Sequence, residues 1–151
     1  MNILRRTMIA GVALAALTAT SAFAGQAGDG TKRLAIQISD NDPATFNKAL
    51  NVATNFARGM SETGDFYEIK IVTFNAGLHM LRTDTSPVMD RIASISESIP
   101  EVKFSACGNT IAGMTKKEGA APPITEHAGV VTAGVVRLME LDDQGYFIIR
   151  P

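Results

Sequence analysis

Apolar and polar residues alternate in short blocks along this chain, and each block predicts an element. Leu34-Ala35-Ile36-Gln37-Ile38 is an apolar run closed by Ser39-Asp40-Asn41-Asp42-Pro43. A run of that length before a polar turn reads as a strand. Asp42 as N-cap and Pro43 at the first helical position then start a helix. Phe46, Leu50, Ala53 and Ala57 recur three and four residues apart. They give one apolar face to about Arg58, with Gly59 just past its end. Residues 66–74 alternate and are rich in β-branched and aromatic side chains, which predicts a second strand. Asn75-Ala76-Gly77 breaks it, and a short helical turn runs from Leu78 to Leu81. Ser86-Pro87 starts the next helix with Ser86 as N-cap; Val88, Ile92 and Ile95 mark its buried side and Pro100 stops it. Residues 102–106 predict a third strand. After Cys107-Gly108-Asn109 comes a short helix from Thr110 to about Lys117, with Asn109 as N-cap and Gly119 beyond its end. Val130-Val131-Thr132 predicts a brief fourth strand, residues 135–141 a helix, and Tyr146-Phe147-Ile148-Ile149 a fifth strand.

Strand and helix alternate throughout, which predicts an α/β fold with a parallel sheet covered on both faces. With right-handed crossovers this is a three-layer α/β/α sandwich on an open, mostly parallel sheet of about five strands.

The first 24 residues follow a different pattern. Arg5 and Arg6 precede an apolar run from Met8 to Leu17, and Ala22-Phe23-Ala24 has the small-x-small shape of a cleavage site. This reads as a cleavable export signal, with periplasmic localisation. The run is too short to span a bilayer, so no membrane association is expected after cleavage. Arg5-Arg6 fits either a general secretion signal or a twin-arginine one. Residues 25–33 are Gly-rich and polar and read as a flexible leader, leaving 34–151 as the domain.

Removing 24 of the 151 residues leaves 127, and the two lost arginines take the formal charge from −1 to −3. A mildly acidic domain has no basic excess to hold nucleic acid. The single cysteine rules out an intramolecular disulfide, a dithiol motif and a Cys-rich metal cluster within one chain. One Cys and two scattered His have no metal-ligand spacing, so neither a metal nor a cofactor is expected. No G-x-G-x-x-G, Walker A or G-x-S-x-G motif is present.

Ligands of open parallel sheets bind beyond the carboxyl ends of the strands. Those ends bring together Ser39, Asn75, Gly77, Cys107, Gly108, Asn109, Thr110 and Thr132 as candidates. Cys107 stands at a strand end beside a helix start, where backbone N–H groups favour a thiolate. Gly108 would keep the approach to the sulfur open. Free cysteine is also among the most buried residue types, so Cys107 reads equally as a packing residue. His79, on the turn after the second strand, is placed to pair with the thiolate, although a structural histidine fits the same pattern. His127 lies in the loop before the fourth strand.

Five stretches resemble the DsrE/DsrF-like family of the DsrE/TusD-type sulfur relay. Phe104-Ser105-Ala106-Cys107-Gly108-Asn109-Thr110 is similar to the family's cysteine motif. Asn75-Ala76-Gly77-Leu78-His79-Met80-Leu81 and Asp84-Thr85-Ser86-Pro87-Val88 resemble the segment before it. Residues 133–138 and 144–151 resemble its last helix and strand. The resemblance covers about Leu34 to Pro151 and implies an α/β/α domain that assembles as a homotrimer or homohexamer. It further implies that Cys107 takes up sulfane sulfur as a persulfide and exchanges it with a donor or acceptor protein. The relay members are cytoplasmic, whereas this chain carries an export signal. The alternative is a non-catalytic module that holds a small ligand or docks a partner, with a structural cysteine.

Overall fold

Strands that are buried on both faces read as near-continuous apolar runs; residues 34–38 follow that pattern, whereas residues 67–73 alternate through Glu68 and Lys70. A computed structural model describes residues 29–151. The expected export signal and the first part of the leader lie outside the described residues. Five strands are present: β1 (Lys32–Ile38), β2 (Tyr67–Thr73), β3 (Val102–Cys107), β4 (Ala128–Val131) and β5 (Phe147–Ile149). They form one sheet in the order β4-β3-β2-β1-β5. Every neighbouring pair is parallel. The helices are α1 (Pro43–Thr63), α2 (Met89–Ser98), α3 (Gly108–Glu118) and α4 (Gly134–Asp143), with a 3-10 turn over Asn75–Leu81.

The first three crossovers step across the sheet in one direction, and right-handedness puts α1, α2 and α3 on one face. The last crossover returns to the far edge, so α4 lies on the other. The larger core joins Ile36, Ile71 and Phe104 of the sheet to Phe46 and Leu50 of α1 and Ile92 of α2. The smaller core joins Ala35, Val72, Phe74 and Cys107 to Leu138 and Leu141 of α4. The α/β/α sandwich is therefore present, with one layer a single helix thick.

Some boundaries differ from expectation, each for a local reason. Strand β1 starts at Lys32, inside the expected leader, because the Lys32 N–H donates to Phe66 O at 2.8 Å. Asp42 caps α1 as expected, accepting from the Ala44 and Thr45 N–H groups at 3.0 and 3.2 Å. The helix passes through Gly59 and ends at Gly64, whose left-handed φ of 73° suits the C-cap. Ser86 does not cap α2. Its hydroxyl donates to Met80 O at 2.6 Å and accepts from the Val88 N–H at 3.3 Å, tying the loop to the 3-10 turn. Asn109 does not cap α3 either. Cys107 is at once the last residue of β3 and the N-cap of α3, so strand and helix meet with nothing between them.

Candidate functional site

Strand β4 pairs with β3 so that Cys107 faces Val131. Three residues later Gly134 begins α4. Adjacent strands thus open directly into two helices at the carboxyl edge of the sheet. Two glycines let the helix starts crowd together. A Cβ on Gly108 would lie 3.0 Å from Val131 O, and one on Gly134 would lie 2.9 Å from the Phe74 Cβ. Both are closer than a side chain accommodates without something moving.

The Cys107 sulfur sits where the two helix N-termini converge. Burial pushes its thiol pKa up. The Thr110 hydroxyl and the N–H groups of Gly134, Thr110 and Asn109 push it down, and together they win. The Asn109 N–H, which also donates to Thr132 O at 3.1 Å, adds least. The net result is a thiol held below its ordinary value. The partial positive charge of both helix starts acts in the same direction.

Thr110 is also tied to the end of β2. Its Oγ1 accepts the Asn75 N–H at 3.0 Å. Asn75 has a φ of 49°, the left-handed region that asparagine tolerates better than most residues. That conformation follows the end of β2 and turns the N–H toward α3.

Cys107 is only 5% exposed, yet it lines a cavity of about 520 Å³. Phe74, Met114, Ala133 and Val135 supply apolar wall, Asn75, Asn109 and Thr110 the polar groups, and Gly113, Gly134 and Lys117 complete it. Lys117 is the one charged residue among them. The cavity therefore unites Cys107, Asn109, Thr110 and Asn75 of the sequence candidates.

The other candidates lie elsewhere. Gly77 is buried against β1, where a Cβ would meet Ile38 O at 2.3 Å, so its role is the close approach of two backbones. Ser39 follows that same strand end and is not on the cavity wall. His79 Nδ1 lies 2.9 Å from Thr85 Oγ1, and the ring does not line the cavity. Thr132 contributes its carbonyl to Asn109 and lines a smaller groove between β4 and α4. Gly108 acts through the close approach of α3 to β4. Among the described residues no three His, Cys, Asp or Glu side chains cluster as a metal site, and no helix is long and apolar enough to cross a membrane.

Sequence reasoning missed Phe74, Gly113, Met114 and Val135 as cavity residues and placed Lys117 only at the end of a helix. One signal was present: Asn109, Gly113 and Lys117 recur every four residues and so share one face of α3.

Chemically, the site can hold a thiolate beside an apolar space. Its wall carries no carboxylate or imidazole to move a proton. Thiolate exchange at sulfur needs neither, since nucleophile and leaving group are both thiolates.

No protein-family model matches the chain, and no curated protein matches it. A solved structure described as a protein of unknown function, MTH1491 from Methanobacterium thermoautotrophicum, is similar to it. The TM-score is 0.67 at 22% identity, over 80% of this chain and 99% of that one. The likeness concerns the fold.

Proposed function

We propose that this protein binds or transfers sulfane sulfur, with Cys107 carrying it as a persulfide. The observation that supports this reading most is the convergence of two helix N-termini and the Thr110 hydroxyl on one thiol that lines a cavity. A thiolate held below its ordinary pKa attacks the outer sulfur of a persulfide or polysulfide. The new bond joins it to Sγ, the donor's sulfur–sulfur bond breaks, and its electron pair leaves on the donor thiolate. The resemblance to the DsrE/DsrF-like family supports the same chemistry. The first 24 residues, which read as an export signal, favour a periplasmic setting, and the resemblance favours a homotrimer or homohexamer, which light scattering tests. With no second cysteine in the chain, the outer sulfur passes to a thiol on another molecule.

The test is intact mass after incubation with inorganic polysulfide. A gain of one sulfur atom in the wild type, absent in Cys107→Ser, is the expected result. No Cys107-dependent gain sinks the proposal. The second reading is a non-catalytic ligand-binding or partner-docking module, favoured by the low exposure of Cys107. It requires that Cys107 resist alkylation until the protein is denatured.

A further inference from the structure

The dimensions and lining of the cavity bear on the donor. Cavities of ~300–1,000 Å³ hold small organic ligands. This one, at about 520 Å³, lies in that range. A water occupies about 30 Å³, so an inorganic anion of a few atoms would leave most of the space unfilled. The apolar walls of Phe74, Met114 and Val135 would also go uncovered.

Helix α3 runs along one wall, from Asn109 to Lys117. Thr110, beside the thiol, and Lys117 are seven residues apart, about 10 Å of helix rise. Gly113 stands between them. A glycine inside a helix costs about 1 kcal/mol relative to alanine. A Cβ at Gly113 would meet nothing within 4 Å, so no packing against neighbours demands this residue. What its missing side chain provides is room in the cavity between thiol and lysine. Lys117 is exposed and makes no ion pair among the described residues. No acidic residue lines the cavity to neutralise it.

We propose that the donor is a small organic persulfide carrying an anionic group at its far end. Its body lies across Gly113 against Phe74 and Met114, and its anion pairs with Lys117. The proposal rests on the sulfur-transfer reading above and names the donor class. In the reaction, the Cys107 thiolate attacks the outer sulfur of R–S–SH. A bond forms from Sγ to that sulfur, the bond between the donor's two sulfurs breaks, and its electron pair departs on R–S⁻. The proton stays on the outer sulfur, giving Cys107–S–SH. Charge balances and no external oxidant or reductant enters.

The experiment uses three donors: mercaptohexanoate persulfide, its neutral analogue mercaptohexanol persulfide, and inorganic polysulfide. The rate of Cys107 persulfidation is followed by intact mass at low ionic strength. The wild type should prefer the carboxylate donor over the alcohol by about fivefold, the scale of an exposed ion pair. Lys117→Glu should abolish that preference. Gly113→Leu, whose fold is checked by circular dichroism, should slow both organic donors about tenfold and spare inorganic polysulfide. Equal rates for the two organic donors, or a preference unmoved in Lys117→Glu, overturn the donor assignment while the persulfide reading stands. Persulfide from none of the three removes both.

Discussion

The Asn75 backbone N–H donates to Thr110 Oγ1 at 3.0 Å, which ties the end of β2 to the start of α3. The Thr110 hydroxyl is also the strongest of the groups that favour the Cys107 thiolate. Thr110→Val keeps the shape and removes the donor, so the thiol pKa should rise. Alkylation of native Cys107 near neutral pH should slow about tenfold, the worth of one hydrogen bond to a charged group. Thr110→Ser should restore the rate. The rate measured against pH separates this from a packing defect, because a shifted thiol pKa moves the whole profile. A profile unmoved in Thr110→Val would show that the hydroxyl does not stabilise the thiolate.

How much of this was legible in the sequence follows the range of the signals. The strands were legible because β1 carries an apolar run over residues 34–38 and β2 alternates apolar residues with Glu68 and Lys70, both of them local patterns. The start of α1 was legible because Asp42-Pro43 acts on its immediate neighbours. Ends were misread where two local signals compete. Gly59 and Gly64 both suit a helix end, and only Gly64 adopts the left-handed conformation. Asn109 is a good cap by residue type, but it lies inside α3, its N–H donates to Thr132 O just after β4, and Cys107 stands at the cap. The thiol, Asn75, Asn109 and Thr110 were legible from the strand-end rule. Phe74 and Val135 were not, because they become cavity wall only when α4 returns across the sheet, a relation set by strand order.

The cap of α1 gives the most local prediction. Asp42 accepts from two backbone N–H groups and from the Thr45 hydroxyl, at 2.9 Å for the last. Asp42→Ala should lower stability by about 1 kcal/mol, and Asp42→Asn by less. Urea denaturation checks both. Equal loss in the two variants would mean that something other than capping is removed.

Acid stability should depend on Arg82. This residue is 5% exposed, and its guanidinium holds Asp84 at 2.8 and 2.9 Å and Glu118 at 2.7 Å, fastening the loop after the 3-10 turn to the end of α3. Both carboxyls are held below their ordinary values, chiefly by hydrogen bonds from Arg82. A carboxyl with a lowered folded-state pKa binds fewer protons folded than unfolded, so stability rises with pH across that window. The contribution is complete above the unfolded-state carboxyl values and drains as pH falls below about 4. In Arg82→Met the denaturation midpoint should vary less with pH in that window. Some dependence should persist, because Asp29 and Asp42 are also held low. An unchanged slope would place the acid sensitivity outside this cluster.

Two glycines at the site make opposite predictions. Gly134 begins α4, and a Cβ there would meet three Phe74 side-chain atoms at 2.9–3.1 Å. Phe74 is itself buried in the smaller core and has little room to retreat. Gly134→Ala should therefore lower stability by about 1–3 kcal/mol. It should also slow Cys107 alkylation, because moving the start of α4 withdraws the Gly134 N–H from the sulfur. Gly113→Ala meets no neighbour and removes the backbone entropy of a mid-helix glycine, so it should raise stability by up to about 1 kcal/mol. One methyl group takes little of the cavity, so alkylation should stay near the wild-type rate. Urea denaturation together with alkylation kinetics on both variants tests the arrangement. If Gly134→Ala loses stability but keeps the wild-type thiol reactivity, α4 packs beside Cys107 without activating it, and α3 alone holds the thiolate.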